Sequence, residues 1–350
     1  MIEGSQDINI NAYWFLASLL VFFFLSLGWV GCFRHYAWGK GLLDVPNARS
    51  SHQRPTPRGG GMVFVVLWLG AVLLTWMMGE LPSGTALFLL PGGILVAGIG
   101  YGDDLYNLSP LWRALVHLIA ALIAVYFLWA VDANPHWEMF SWSALGVLGA
   151  IFAIVWSINL FNFMDGTDGL AGMEACFVFS VGGEWLWQAG AYGYAYLAWV
   201  LVAAVAGFLV WNWPPARIFM GDGGSSFLGF LIAAFALAGQ VCWDIPIVLW
   251  MMIYGVFWFD ATVTLLRRIL AGERWYTAHR SHAYQRLHQA GWPHRKVLLA
   301  VGGVNTSLVA AALWANANRE ALPWVFLATL MFLGVAYGGI ERLRPMYPKE

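Results

Sequence analysis

The run Ala12-Tyr-Trp-Phe-Leu-Ala-Ser-Leu-Leu-Val-Phe-Phe-Phe-Leu-Ser-Leu-Gly-Trp-Val-Gly-Cys-Phe33 carries no charged side chain. A helix needs about 20 such residues to cross the hydrocarbon core of a bilayer. Ala12–Phe33 is long enough to span. Residues 1–11 hold no Lys or Arg, so the basic start of a cleavable signal peptide is missing and the run is expected to be a resident first span. Comparable stretches follow at about 62–78, 84–101, 111–131, 143–161, 171–188, 194–212, 225–241, 245–266, 297–316 and 322–339. The chain therefore reads as all-α, a polytopic transmembrane helical bundle of about 10–11 spans. No internal repeat or long linker divides it, so residues 1–350 are expected to form one integral membrane domain.

Composition agrees. Of 350 residues, 60% are hydrophobic and 11% are charged. Soluble domains carry about 25% charged residues, and a soluble chain of this kind could not cover its apolar surface. Net charge is −1, so the placement of charge is more informative than its sum. Arg34, Lys40, Arg49, Arg54, Arg58, Arg113, Arg217, Arg267, Arg268, Arg274, Arg280, Arg286, Arg295, Lys296, Arg342, Arg344 and Lys349 fall on one side of an eleven-span chain; only Arg319 falls opposite. The positive-inside rule then puts the amino terminus outside and the carboxy terminus in the cytoplasm. The 22 tryptophans include Trp137, Trp142, Trp213 and Trp292 near span ends, as in an interfacial belt. Cys32, Cys176 and Cys242 are scattered through apolar stretches, which suits packing rather than metal or disulfide chemistry.

Five loops on the basic side are unlike the rest. The first, residues 47–61, contains Arg49-Ser-Ser-His52, Arg54, Arg58 and three glycines before a span. Arginine forks and open amides of this kind suit phosphate. The second holds adjacent Asp103 and Asp104 at the end of an apolar span. Two carboxylates there repel and lose hydration, which a divalent cation or a proton relieves. Ser109 is a better cap for the next helix than either.

The third, Asn159 to Gly172, spaces Asn159, Asn162, Asp165 and Asp168 by three. They share a face if the helix continues; glycines after Asp165 and Asp168 make a helix end the alternative. Oxygen donors without thiolate point to Mg²⁺ or Mn²⁺, not zinc. In the fourth, Asp222 stands between glycines at a span start, where amides at Ser225 and Ser226 could face an anion; Phe219 is near enough to stack on a base, and reads equally as an ordinary apolar packing residue. The fifth, from Arg267 to Lys296, contains His279-Arg280-Ser281-His282, better suited to phosphate than to zinc, with basic amphipathic packing on the membrane surface as the alternative. Together the loops hold the equipment of phosphoryl transfer, and the membrane suggests a lipid reactant.

In order, Arg49-Ser-Ser-His52 with Pro55-Thr-Pro-Arg-Gly-Gly60, Gly102-Asp-Asp104, Asn162-Phe-Met-Asp-Gly-Thr-Asp-Gly169, Phe219-Met-Gly-Asp-Gly-Gly-Ser225 and His279-Arg-Ser-His282 resemble the polyprenyl-phosphate N-acetylhexosamine-1-phosphate transferases. The resemblance covers about residues 44–290. It implies attack by undecaprenyl phosphate on the β-phosphorus of a UDP-N-acetylamino sugar, with loss of UMP, in a bacterial inner membrane with the site facing the cytoplasm. It implies Asp222 and Asn162 as ligands of Mg²⁺ (or Mn²⁺). Asp103, Asp104 and Asp168 are the implied catalytic carboxylates, with Asp103 deprotonating the lipid phosphate. Asp168 and Phe219 are also implied to hold uridine, Asp165 to support the site, and Arg54, Arg58, His279, Arg280 and His282 to hold phosphates or sugar. A homodimer is kept as an expectation, and no nucleic acid is expected as a partner.

The cell-wall translocase of this family has three consecutive histidines in the fifth loop. The pattern here, His279-Arg-Ser-His282, is closer to enzymes that initiate O-antigen or capsule chains, with GlcNAc, QuiNAc or FucNAc as the sugar. The rival class is a secondary transporter, where intramembrane carboxylates and broken helices also occur. Transporters place such groups near the midplane; here they sit at span ends.

Overall fold

The structure is a computed structural model that describes residues 4–46, 54–131, 144–274 and 279–347; the side chains of residues 4–12 and of 130–131 are outside that description. Arg49-Ser-Ser-His52, Trp137, Trp142 and Lys349 lie outside the described residues.

The helices in chain order are α1 (Gly4–Gly39), α2 (Gly61–Met77), α3 (Ser83–Tyr106), α4 (Pro110–Val131), α5 (Ala144–Met164), α6 (Leu170–Gln188), α7 (Tyr192–Asn212), α8 (Asp222–Trp243), α9 (Ile247–Ile253), α10 (Gly255–Leu270), α11 (Ala283–Gln289), α12 (His294–Ala317) and α13 (Leu322–Leu343). The only strands among the described residues are β1 (Leu43–Asp44) and β2 (Thr56–Pro57), paired antiparallel with Leu43 opposite Pro57.

Each of the eleven expected spans is helical. Among the described residues, eight helices are long and apolar enough to cross a membrane, and the pair α9–α10 makes up to nine. The two remaining segments fall short for visible reasons: α2 has 17 residues, and α6 includes Glu174 and Glu184 in its 19. The ninth expected span is broken. Helices α9 and α10 meet at Tyr254 with a bend of 85°.

Helix α8 is the axis of the bundle. Every residue from Gly223 to Gly239 is buried, whereas α1 and α13 are largely exposed along their lengths. An all-round apolar helix of this kind belongs inside a bundle. Small residues allow close approach: a Cβ at Gly229 would lie 2.4 Å from the Ser157 carbonyl oxygen of α5, and Ser157 Oγ donates to the Gly229 carbonyl at 2.7 Å. Phe227, Phe230 and Phe235 of α8 are fully buried among Trp68, Phe161 and Phe179. This packing fixes the amino-terminal end of α8, where Asp222 stands, against the ends of α3 and α5.

Candidate functional site

Local sequence explains how the loops are held. The first loop ends in glycines whose amides pair with the fourth loop: Gly60 N–H donates to the Phe219 carbonyl at 2.9 Å, Gly61 N–H to the Met220 carbonyl at 2.9 Å, and Phe219 N–H to the Pro57 carbonyl at 2.8 Å. Gly221, with φ +80°, then turns the chain into α8. A Cβ there would lie 2.5 Å from Asp104 Oδ2 and 2.9 Å from Gly59 Cα. Only glycine permits both the backbone angle and this approach.

Asp103, Asp104 and Asp222 are gathered by this arrangement. Asp104 is buried, and the Gly223 N–H points at its Oδ2 from 3.4 Å. The anion at the α8 amino terminus is thus the chain's own Asp104. Ser225 N–H instead donates to the Gly221 carbonyl within the helix, so the expectation that the Ser225 amide faces a ligand is corrected. Arg58 donates from Nη2 to the Asp104 backbone carbonyl.

Arg113 was not singled out from the sequence. Its Nη1 sits 2.6 Å from Asp103 Oδ2 and 3.3 Å from Asp222 Oδ2, bridging the second and fourth loops. Its position in the first turn of α4, after Pro110-Leu-Trp112, gave a signal only as a positive-inside residue. Asn162 donates from Nδ2 to Ser225 Oγ at 3.0 Å and also contacts Asp222, so Oδ1 is the atom it could offer to a cation.

Helix α5 stops at Met164, which decides between the two readings of the third loop. Asn159 lies back along the helix, with Nδ2 on the Val155 carbonyl at 2.7 Å, and does not join the site. Asp165 to Gly169 form a turn. Asp165 has part of its surface open, yet protein surrounds its carboxyl; loss of hydration, then the charges of Asp222, Asp104 and Asp168, push it well above the usual carboxylate range. Asp168 faces another way: its Oδ2 accepts from Ala216 N–H at 2.9 Å, and His294 Nδ1 lies 3.2 Å from its Oδ1. Phe219 is half-buried. Buried Asn212 joins these regions, with Gly169 N–H on its Oδ1 and its Nδ2 on the Ile218 carbonyl, both at 2.9 Å.

The fifth-loop residues form a separate group. Helix α11 begins on Asp260 of α10, whose Oδ1 and Oδ2 accept from Ala283 N–H at 2.9 and 2.8 Å. His282 Nδ1 is 3.6 Å from the same carboxylate, and the His279 ring centroid is 4.8 Å from that of His282. Burial, then the charges of His282 and Arg268, bring His279 down to about 4. Tyr284 donates to the Phe163 carbonyl at 3.1 Å, docking α11 on the third loop. Arg280 is half-buried with its carbonyl on Gln289 Nε2, and Arg54 is exposed. The structure therefore brings Asp103, Asp104, Asn162, Asp165, Asp222 and Arg58 together, and holds His282 on Asp260, with His279 against the His282 ring, rather than on those carboxylates.

Among the described residues, no three His, Cys, Asp or Glu side chains are gathered as a ready metal cage, and the Arg113 guanidinium lies between Asp103 and Asp222. The chemistry of the donors still fits a hard divalent cation. Four carboxylates (Asp103, Asp104, Asp165 and Asp222) and the Asn162 amide are gathered in the same region as Arg58 and Arg113, and none of these donors is a thiolate.

The model of Glycosyl transferase family 4 matches residues 86–240, which include the second, third and fourth loops. A probable undecaprenyl-phosphate N-acetylglucosaminyl 1-phosphate transferase of Bacillus subtilis (strain 168) is 30% identical over 266 residues, 75% of this chain and 74% of that protein. The decaprenyl-phosphate N-acetylglucosaminephosphotransferase of Mycobacterium tuberculosis (strain ATCC 25618 / H37Rv) is 29% identical, covering 85% of this chain and 81% of its own length. The undecaprenyl-phosphate alpha-N-acetylglucosaminyl 1-phosphate transferase of Escherichia coli (strain K12) is 26% identical over 85% of this chain and 83% of its own. With the acidic cluster at the span ends, these likenesses set aside the transporter alternative: the chain is a multi-pass membrane protein that belongs to the polyprenyl-phosphate N-acetylhexosamine-1-phosphate transferases of glycosyl transferase family 4.

Proposed function

We propose that this chain transfers an N-acetylamino-sugar 1-phosphate from a UDP-sugar to undecaprenyl phosphate or a similar polyprenyl phosphate, releasing UMP. The observation that carries the reading is the meeting of Asp103, Asp104, Asn162, Asp165 and Asp222 with Arg58 and Arg113 at the ends of membrane helices. The names of the relatives favour N-acetylglucosamine as the sugar. The His279-Arg-Ser-His282 pattern favours a role in starting O-antigen or related envelope glycans. The charge distribution favours a site on the cytoplasmic face of a bacterial inner membrane, with the amino terminus opposite. Two copies would pair as a homodimer.

In this reading a lipid phosphate oxygen forms a bond to the β-phosphorus of the UDP-sugar. The bond from that phosphorus to the bridging oxygen breaks, and UMP leaves with the electron pair. Where the lipid phosphate is monoprotonated, Asp103 takes the proton. Arg113 engages Asp103 at 2.6 Å, so this step requires the pair to open, and incoming phosphate oxygens are suitable alternative partners for the guanidinium. Asp222 and Asn162, with Asp104 or Asp165 near, would hold Mg²⁺ or Mn²⁺, which would neutralise the diphosphate and polarise its oxygens. Arg54, Arg58, His279, Arg280 and His282 would hold phosphate or sugar. Asp168 and Phe219 would hold uridine, Asp168 by accepting from the base and Phe219 by stacking.

Purified protein, undecaprenyl phosphate, Mg²⁺ and a panel of UDP-amino sugars, read by UMP release, test this. Activity at the parent level in Asp222→Ala would sink the metal assignment. No sugar accepted, with saturable uptake of a solute instead, would sink the transferase. A single displacement also predicts no UDP-sugar/UMP exchange and no trapped labelled enzyme without lipid; either would show a covalent intermediate.

A further inference from the structure

His288 and His294, at the two ends of the turn between α11 and α12, touch the third loop at consecutive residues. His288 Nδ1 lies 2.9 Å from the Trp292 carbonyl oxygen. A carbonyl only accepts, so Nδ1 carries the proton; burial favours the neutral ring, which leaves Nε2 as the acceptor. Thr167 Oγ1, 2.8 Å from that Nε2, is therefore the donor, and Thr167 is fixed. His294 Nδ1 lies 3.2 Å from both the Asp168 N–H and Asp168 Oδ1. Unprotonated, it accepts from the amide; protonated, it donates to the carboxylate. Either state pins Asp168. The two rings are 4.5 Å apart, and next to them Arg295 Nε donates to the Pro214 carbonyl at 3.1 Å. The α11–α12 turn thus grips the third loop at Thr167 and Asp168 and the fourth at Pro214.

Asp168 is held on its other side by the Ala216 N–H on Oδ2, and Asn212 couples Gly169 to Ile218, the neighbours of Asp168 and Phe219. A carboxylate so held is oriented as an acceptor for a planar imide N–H, and an aromatic ring on the same scaffold can stack on that base. We propose that His294 and His288 are positioning residues that hold Asp168 for recognition of the uracil imide of the donor nucleotide. The proposal rests on the reading of Asp168 as a uridine contact.

The test uses the full-length protein in detergent, measuring UMP binding by calorimetry and steady-state kinetics for both substrates. His294→Ala is expected to raise the UMP Kd and the UDP-sugar KM about tenfold, the size of one lost hydrogen bond. It should leave kcat within about threefold and the lipid KM unchanged. His294→Asn, whose amide can stand in for Nδ1, should recover most of the loss. His288→Ala should move the same two constants in the same direction, which keeps the test alive if His294→Ala does not fold. Parent values of Kd and KM in both alanine variants, or a fall in kcat alone, would overturn the proposal. Asp168→Ala separates the two readings. If it binds UMP as the parent does, the uridine assignment fails. If it loses UMP while both histidine variants bind normally, only the positioning role fails.

Discussion

Arg113 Nη1 lies 3.3 Å from Asp222 Oδ2 across 109 residues of chain, and the same nitrogen is 2.6 Å from Asp103. One guanidinium thus links the end of α3 to the start of α8. A charge-assisted bond of this kind contributes about 1.5–3 kcal/mol. Arg113→Ala should therefore lower kcat for UMP release about 10–100-fold, because Asp103 and Asp222 lose their common partner. Arg113→Lys should fall between, since an ammonium lacks the fork. Thermal unfolding should shift by only a few degrees, as Arg113 is partly exposed. Parent kcat in Arg113→Ala would remove this residue from the site.

Gly221 is the most exacting position in the backbone of the site. Its φ of +80° and ψ of 166° lie in a region used almost only by glycine, at about 1–3 kcal/mol for other residues. The added Cβ would also press on Asp104 and Gly59. Gly221→Ala is expected to lower the melting temperature and to abolish most UMP release. Gly98→Ala is the comparison: within α3, with nothing within 4 Å of its Cβ, it should be neutral or stabilise by about 0.5–1 kcal/mol. Equal effects of the two substitutions would refute the steric account.

The fifth loop should make stability sensitive to mild acid. His279 has a folded-state value of about 4 against 6.5 unexposed to the fold, chiefly through burial and then through His282 and Arg268. Above 6.5 neither state binds the proton. As pH falls from 6.5 toward 4 the unfolded chain gains it and the folded chain does not, so stability is lost over that window. Glu273, held low by Arg268 and Tyr347, acts in the same direction but only below its ordinary 4.5. Asp165, pushed up by burial and by Asp222, Asp104 and Asp168, acts oppositely: its contribution is present below 3.8 and is lost as pH rises. The quantity to measure is therefore the difference in melting temperature between the parent and His279→Gln from pH 7.5 to 5. The parent should lose more; parallel curves would exclude His279 as the group.

The bundle was legible because span hydrophobicity is a length property. All eleven expected segments are helices; the bend at Tyr254, the shortness of α2 and the weaker apolar character of α6 escaped the reading. The candidate site was legible where charge is costly in an apolar chain, at Asp103, Asp104 and Asp222. Arg113 escaped because a lone arginine after a span already has an explanation in membrane orientation. Asp260 escaped because it lies inside an apolar run, where nothing local reveals that its partner is the first amide of α11, 23 residues on. His288 and His294 escaped for the same reason: their meaning depends on a turn meeting Thr167 and Asp168 more than 100 residues earlier. Spacing reveals neighbours on one helix, not partners across a bundle.

Glu174 and Asn305 offer a test of the bundle away from the loops. Both are fully buried, on α6 and α12, and Asn305 Nδ2 donates to Glu174 Oε2 at 2.5 Å. Glu174 Oε1 and Asn305 Oδ1 have no hydrogen-bond partner among the described residues. Removing one member strands the other, at about 1–3 kcal/mol, whereas replacing both by apolar side chains removes the need for the bond. Asn305→Leu and Glu174→Leu should each lower the melting temperature in detergent, and the double variant should be more stable than the sum of the two losses predicts. The UDP-sugar KM should stay at the parent value in all three, because the pair lies within the helices and not among the loops. Additive losses would mean that the two side chains contribute independently, and that the close approach of Nδ2 to Oε2 does not hold α12 against α6.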